Sequence, residues 1–412
     1  MNKPALLALD DALAQLLSHA QPLTGVESIS TMQADGRVLA ADCVAELDVP
    51  SFDNSAMDGY AFNCHDWAAS EGILKLGHRI PAGSAPSSLP TGQAARIFTG
   101  APVPHGADAV VMQEDCISLD DGRVQIKTQP IVGQCIRKQG EDIAKNSKVL
   151  PKGVRLTPVS LGLAASIGFG NLSVYAQPRV GLLSTGDELV MPGEVQPADL
   201  PPGAIFNSNR FFLRALLERL GCVVTDLGNL PDKLAPTQNM LARAAQDHDL
   251  ILTSGGVSVG EEDHVKPAVQ ALGELHLWAL AIKPGKPFAY GQLRRERGDV
   301  AHFIGLPGNP VSSLVTFMLL VRPFVSALQG MTDTKLQAFA MRADFAWSRA
   351  DKRREFLRVR RNAHGGLDLF DNQSSGVLTS AVWGDGLLDN PPGKTIANGD
   401  MVDFIPFTHW MS

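Results

Sequence analysis

Leu6, Leu7, Leu9, Leu13, Leu16 and Leu17 recur at helical spacing, which predicts an amphipathic helix within residues 1–20 whose apolar face packs on another part of the chain. From Thr31 to Leu150 the pattern shortens. Alternating segments at 93–98, 109–112 and 123–127 are separated by Gly, Pro, Ser and Asp, the texture of short antiparallel strands, and this region reads as a β-rich domain. Leu161 to Gly168 returns to helix-like spacing, so it is expected to pair with the first helix and to leave the β-rich part as an insertion between them.

The next region alternates strands with helices. Apolar runs at 179–183, 222–224, 250–253 and 303–305 read as strands; Asn207 or Ser208 can cap a helix through Leu220, and further helices are expected over 236–245, 265–272 and from Val311. A strand pair fits within 275–292. Such alternation predicts an α/β domain, a doubly wound, mainly parallel sheet with helices on both faces, which binds ligands at the carboxyl ends of its strands. After Gly330 short strands return, at 356–359 and 401–404 around a Pro391-Pro392-Gly393 turn, as a small separate β domain. The expected division is a linking domain at 1–26 and 147–177, a β-rich inserted domain at 27–146, the α/β domain at 178–329 and the C-terminal β domain at 330–412.

Composition narrows the function. The formal charge of −7 argues against a sequence-independent nucleic-acid binder, so any anionic ligand must meet local positive charge. The apolar run 311–321 contains two serines and stops at Arg322, too short to span a bilayer, and no membrane role is expected. The 5 cysteines are scattered without CxxC spacing, which suggests reduced thiols rather than disulfides or structural zinc. Asp10 and Asp11 interrupt the N-terminal apolar stretch, so it does not read as a leader, and a cytoplasmic protein is expected.

The most informative segment is 253–263, Thr-Ser-Gly-Gly-Val-Ser-Val-Gly-Glu-Glu-Asp, between an apolar strand and a helix. Its glycines let backbone N–H groups converge on an anion beside a helix N-terminus, which makes Ser254, Gly255, Gly256, Ser258 and Gly260 candidate phosphate ligands. It is neither GxxxxGK[ST] nor GxGxxG. Two more small-residue loops, Ser184-Thr185-Gly186-Asp187-Glu188 and Gly305-Leu306-Pro307-Gly308-Asn309-Pro310, stand at strand ends, and three such loops suggest one shared anion pocket. Glu188 and Asp263 inside these loops would repel a bare phosphate, and a divalent cation such as Mg2+ resolves the conflict. The alternative is that both acids only complement helix N-termini. Lys283 and Lys286 on a proline-stiffened turn suit binding of an oxyanion, or are solvated hairpin lysines.

Read together, Asn54-Ser55-Ala56-Met57-Asp58-Gly59-Tyr60-Ala61, Thr99-Gly100-Ala101-Pro102-Val103-Pro104, Gly140-Glu141-Asp142-Ile143, Ser184 to Leu189, Ser254 to Gly260, Lys283-Pro284-Gly285-Lys286-Pro287 and Gly305 to Pro310 resemble the molybdopterin molybdenumtransferase family of the MoeA type, also found as the C-terminal domain of gephyrin. The resemblance covers the chain from about Leu6 to its end. It implies insertion of molybdate into adenylylated molybdopterin with divalent-metal-dependent release of AMP. It also implies a homodimer of four-domain subunits whose central domain is of the molybdopterin-binding type and whose last domain is a small β-barrel. By the resemblance, Glu188, Asp232 and Asp263 stand near metal and phosphates, with Glu188 and Asp263 as metal ligands, and Asp58, Thr99 and Asp142 face them from the partner subunit. Lys283 and Lys286 would hold the anionic substrate, and Pro307 and Pro310 would shape the neighbouring loop. Two positions depart from the family pattern: His264 stands where Tyr is common, and Gln373-Ser374-Ser375 replaces a Gln-Gly-Ser-like turn. A molybdopterin adenylyltransferase is the related upstream partner and, as an activity, one alternative; a gephyrin-like dimeric scaffold for partner peptides is the other.

Overall fold

The computed structural model describes residues 6–85, 87–231, 233–257 and 264–408. Its centre is a six-stranded sheet in the order Val223–Leu230, Arg179–Thr185, Leu250–Ser254, Val300–Leu306, Pro287–Arg294, Gly273–Ala279. The first four strands are parallel, and Pro287–Arg294 runs antiparallel to both its neighbours. Because side chains alternate across a strand, Val180, Leu182, Leu250, Leu252, Ile304 and Leu306 share one core with the helices Asn209–Arg219 and 310–328. Leu183, Ile251, Ala301 and Phe303 share the other with Leu234–Asp247 and Val265–Leu272. Both faces are therefore covered by helices, as the strand–helix alternation predicts.

The helix that begins at Pro310 is longer than its apolar run suggested. It continues past Arg322 to Leu328, 19 residues in all, through a π-type segment at Phe317–Val321. Pro323 has no N–H to give the preceding turn, which accounts for the local change of hydrogen bonding just before it. By length and apolarity this is the single helix among the described residues that could cross a bilayer, yet 89% of its apolar window is buried inside the fold.

The first helix, Leu9–Ser18, does not pair with Pro158–Ser166 as its spacing suggested. Leu9, Ala12 and Leu16 form a stripe buried in the α/β core beside Phe324 and Leu328. Backbone hydrogen bonds from Leu7 N–H to Ala279 O and from Ala281 N–H to Leu7 O, both 2.8 Å, splice the preceding residue into that domain. Local spacing announces a stripe but not the surface it finds. Pro158–Ser166 packs instead beside two antiparallel pairings of strands far apart in the chain, Val26–Ser30 with Asn171–Tyr175 and Cys43–Val44 with Lys148–Leu150.

Between these pairings lies the inserted sheet, in the order Ala109–Met112, Gly59–Phe62, Gln93–Ile97, Ile73–Ile80, Arg123–Ile126, Cys116–Ser118. It is not wholly antiparallel: Ile73–Ile80 and Gln93–Ile97 run parallel, the crossover lying between them in the chain. In the C-terminal domain Arg354–Arg361 pairs with both Gly366–Leu369 and Gly386–Asn390, which closes five strands into a small barrel. Ile282–Lys283, from the α/β part of the chain, adds to this barrel alongside Arg354–Arg361.

Candidate functional site

The chain leaves Arg179–Thr185 to one side, for Val223–Leu230, and returns on the other side to Leu250–Ser254. The strand order therefore reverses at the carboxyl ends of these strands, where an α/β sheet opens a crevice. A cavity of about 560 Å³ lies there, walled by Thr185, Gly186 and Glu188, by Ser254-Gly255-Gly256, and by the 307–310 loop.

Backbone conformation explains the glycines. Gly255 has φ +94°, and a Cβ there would stand 2.9 Å from Thr185 Oγ1 and 3.0 Å from the Thr185 carbonyl oxygen. Gly256 has φ +68°, and its Cβ would meet Val265 at 2.5 Å. Only residues without Cβ let this loop fold back against its neighbouring strand end. Gly255 N–H donates to Leu306 O at 3.0 Å, which ties the loop to the adjacent strand.

Asn209, at the start of the Asn209–Arg219 helix, joins two walls of the cavity. Its amide Nδ2 donates to Ser254 Oγ and to Gly308 O, each at 2.7 Å. The carbonyl can only accept, so this nitrogen is fixed as the donor, and Asn209 Oδ1 is buried without a partner. Asn207 is fixed likewise: its Oδ1 accepts the Arg210 N–H at 3.3 Å, and its Nδ2 is buried and unpaired. Of the two caps the sequence offers, Asn207 or Ser208, it is Asn207 whose side chain takes a first-turn N–H; what sequence reasoning missed is Asn207 and Asn209 as cavity walls. The signal was a run of three small polar residues at a strand-to-helix junction.

Two helices, Asn209–Arg219 and 310–328, begin at the cavity wall, and neither Ser208 nor Asn309 caps its helix through its side chain. The helix dipoles give the wall a positive character without a lysine or arginine, while Asn207 Oδ1 and Ser375 O already accept the Arg210 and Val311 N–H groups. Among the described lining residues Glu188 carries the single ionisable side chain. It is exposed, and its carboxylate lies over Gly186, where an added Cβ would come within 2.5 Å of it. No group of three or more His, Cys, Asp or Glu that could hold a metal occurs among the described residues.

Of the residues singled out from sequence, Glu188, Ser254, Gly255, Gly256, Pro307 and Pro310 come together at this cavity. Asp232, Ser258, Gly260 and Asp263 lie outside the described residues. Lys283 and Lys286 are not in the lining. Lys283 Nζ lies 3.0 Å from Glu355 and 3.3 Å from Asp351 of the barrel, and Lys286 is exposed. Asp58 and Thr99 meet each other in the inserted domain, where the Thr99 N–H and hydroxyl both donate to Asp58 Oδ1 at 2.8 Å and hold its carboxyl below the usual range. Asp142 sits on a neighbouring turn, its N–H donating to Val49 O at 3.1 Å. None of these three lines the cavity of its own chain.

Three family descriptions match in succession: "MoeA N-terminal region (domain I and II)" over residues 7–168, "Probable molybdopterin binding domain" over 181–327 and "MoeA C-terminal region (domain IV)" over 340–407. A molybdopterin molybdenumtransferase of Haemophilus influenzae is 40% identical across 98% of this chain and 99% of its own length. One of the same name from Synechococcus elongatus is 38% identical across 78% and 80%. A solved structure of a molybdopterin biosynthesis MoeA protein from Pyrococcus horikoshii superimposes with a TM-score of 0.83 at 26% identity, covering 98% of this chain and all of that one.

Proposed function

The chain belongs to the MoeA family of molybdopterin molybdenumtransferases, and on that premise we propose that it inserts molybdenum at the sheet-rim cavity, taking molybdate and adenylylated molybdopterin and releasing AMP. The observation that carries the placement is a wall formed by two helix N-termini and a di-glycine turn, in which, among the described residues, Glu188 is the lone ionisable side chain. Backbone N–H groups suit phosphate oxygens, whereas an isolated carboxylate beside them opposes a bare polyanion.

A divalent cation fits this donor set, because Mg2+ is commonly held by one or two carboxylates and fills its shell with phosphate oxygens and water. Glu188 would supply one carboxylate, and Asp263 a second by sequence resemblance. When bound, the ion would neutralise phosphate charge and favour departure of AMP. The chain's own part is to orient the pyrophosphate: the Gly255-Gly256 turn and the starts of the two helices bind its oxygens, and the Asn209 side chain keeps those walls in register.

In this reading a second copy of the chain brings Asp58, Thr99 and Asp142 to the cavity, so the working form is a homodimer. A cytoplasmic setting and supply of substrate by a molybdopterin adenylyltransferase complete the proposal. That adenylyltransferase activity is the rival reading for the α/β domain alone, but the relatives align over the inserted and C-terminal regions as well. A dimeric scaffold for partner peptides would leave the glycine turn and Glu188 without a task.

The test is molybdate-dependent AMP release from purified adenylylated molybdopterin with graded Mg2+. Wild-type protein should turn over, and Glu188→Gln should lose metal-dependent AMP release with its fold intact. Adenylate formation from molybdopterin and ATP instead, or full metal-dependent turnover by Glu188→Gln, would overturn the assignment.

A further inference from the structure

The inserted sheet sets two arginines side by side. Ile73–Ile80 and Gln93–Ile97 run parallel with Arg79 opposite Arg96 in register, so both side chains leave the same face. Like charges directly opposite each other on a sheet are destabilising. Phe98 receives both guanidinium groups: Arg79 Cζ stands 4.6 Å and Arg96 Cζ 4.7 Å from its ring centroid. Arg96 also lies 5.2 Å from the Tyr60 ring and donates to neutral oxygens, Gly59 O at 2.8 Å, Ile97 O at 3.4 Å and Gln113 Oε1. Among the described residues neither arginine makes an ion pair with a carboxylate. Each exposed cation–π contact is worth about 0.5–1 kcal/mol, which holds the two cations together without neutralising either.

This pair flanks Asp58 and Thr99. Gly59, whose carbonyl Arg96 holds, follows Asp58 in the chain, and Phe98 precedes Thr99. The Asp58 carboxylate is already taken by the Thr99 N–H and hydroxyl, so it leaves both guanidinium groups unpaired. Arg79 is exposed, and Arg96 and Phe98 are half-buried. The cavity of the α/β domain has no lysine or arginine among its described lining residues, although its proposed substrates are a pyrophosphate ester and the molybdate dianion. Positive charge is lacking on one surface and crowded on the other.

We propose that Arg79 and Arg96, stacked on Phe98, form an oxyanion subsite that each subunit presents to the cavity of the other. The inference rests on the reading that a second copy brings Asp58 and Thr99 to that cavity. Guanidinium forks match the paired oxygens of a tetrahedral oxyanion, and an anion between two of them turns their mutual repulsion into shared attraction. The nucleotide phosphate and molybdate are the two sources of that chemistry, and the kinetics below tell them apart.

The test compares Arg79→Met and Arg79→Lys, at the exposed member of the pair, in the AMP-release assay. Loss of one charge-assisted contact in Arg79→Met should raise a KM about tenfold, with the larger part of the effect in KM rather than kcat. A rise for adenylylated molybdopterin assigns the subsite to phosphate, and a rise for molybdate assigns it to that ion. Arg79→Lys should fall between, because the charge survives without the fork. With the repulsion removed, Arg79→Met should melt no lower than wild type. Mixing decides the placement between subunits. A dimer of one Arg79→Met and one Glu188→Gln chain keeps one cavity in which an intact Glu188 meets an intact Arg79. With random pairing and substrate below KM, the mixture should therefore run about fivefold above the mean of the two homodimers. Wild-type KM for both anions, a KM rise that merely tracks a lowered melting temperature, or no gain on mixing would overturn the proposal. If the wild type releases no AMP, the functional reading fails, and calorimetric titration of AMP and of sodium molybdate into wild type and Arg79→Met decides the subsite: weaker binding of either anion by the variant upholds it, and unchanged affinity for both removes it.

Discussion

Asn209 offers a perturbation whose two obvious substitutions should rank in an unintuitive order. Its Nδ2 makes two hydrogen bonds of 2.7 Å to different walls of the cavity, while its Oδ1 has none. Asn209→Ala removes both bonds, worth about 0.5–1.5 kcal/mol each, but also removes the orphaned oxygen, which returns about 1 kcal/mol, for a net loss near 1 kcal/mol. Asn209→Asp keeps the shape and is the milder change by size. It nevertheless replaces the donor by an acceptor facing the Gly308 carbonyl and buries an unpaired charge, a cost of about 3–5 kcal/mol. The Asp variant should therefore open the walls at least about thirtyfold more often than the Ala variant, since 1.4 kcal/mol is a factor of ten. Hydrogen exchange in the 254–257 and 306–309 segments measures that opening directly. Burial raises the new carboxyl's pKa, so the gap is full above that pKa and narrows as pH falls and the protonated group regains a donor. An Asp variant no more open than the Ala variant at neutral pH would refute the donor assignment and the clamp with it.

Further outcomes follow from single contacts. Gly255→Ala forces a Cβ to 2.9 Å from Thr185 Oγ1 at φ +94°; thermal unfolding should show a loss of at least about 1–2 kcal/mol, and AMP release should fall with it. Lys283→Met strips Glu355, which is 1% exposed, of its cation, although Trp347 Nε1 still donates to it at 2.9 Å. Because Lys283 is 42% exposed, the loss should be about 1–2 kcal/mol rather than that of a fully buried pair. Adding Glu355→Gln should restore much of it in urea unfolding, and no stability change in Lys283→Met would show the pair to be idle. His302 is held neutral by burial, its pKa pushed down to about 4, beside the Tyr290 hydroxyl at 3.0 Å. The unfolded chain takes up this proton first, so stability should decline as pH falls from about 6.5 to about 4. His302→Gln should flatten that part of the pH–stability curve, and an unchanged slope would refute it.

The sheet was legible because its strands are short apolar runs ended by small residues, and the strand ends at Ser184, Ser254 and Leu306 were visible as Gly- and Pro-rich breaks. Their meeting at one cavity follows from parallel order, which the alternation of strands and helices already implies. What stayed hidden was partnership. The Leu stripe of the first helix could not say that it docks on the α/β core, and the Lys283-Pro284-Gly285-Lys286 turn could not say that its first lysine faces Glu355, 72 residues away. Asn209 was invisible for a related reason: an asparagine before an apolar helix is ordinarily a cap, and its bonds to Ser254 and Gly308 exist only in the folded chain. Arg358 reads in sequence as one more basic residue of an Arg-rich strand, and nothing local marks it as buried.

The ladder between Ile282–Lys283 and Arg354–Glu355 ties a segment from before residue 330 into the closed barrel. Cutting the gene at the apparent boundary near Gly330 would thus yield two fragments, each with raw backbone donors and acceptors where a neighbour used to be. Such fragments are expected to stick to themselves or to each other, and recombining them in trans should work better than expressing either alone. Swapping this barrel between homologues would need residues 280–286 to travel with it, a graft of two stretches rather than one.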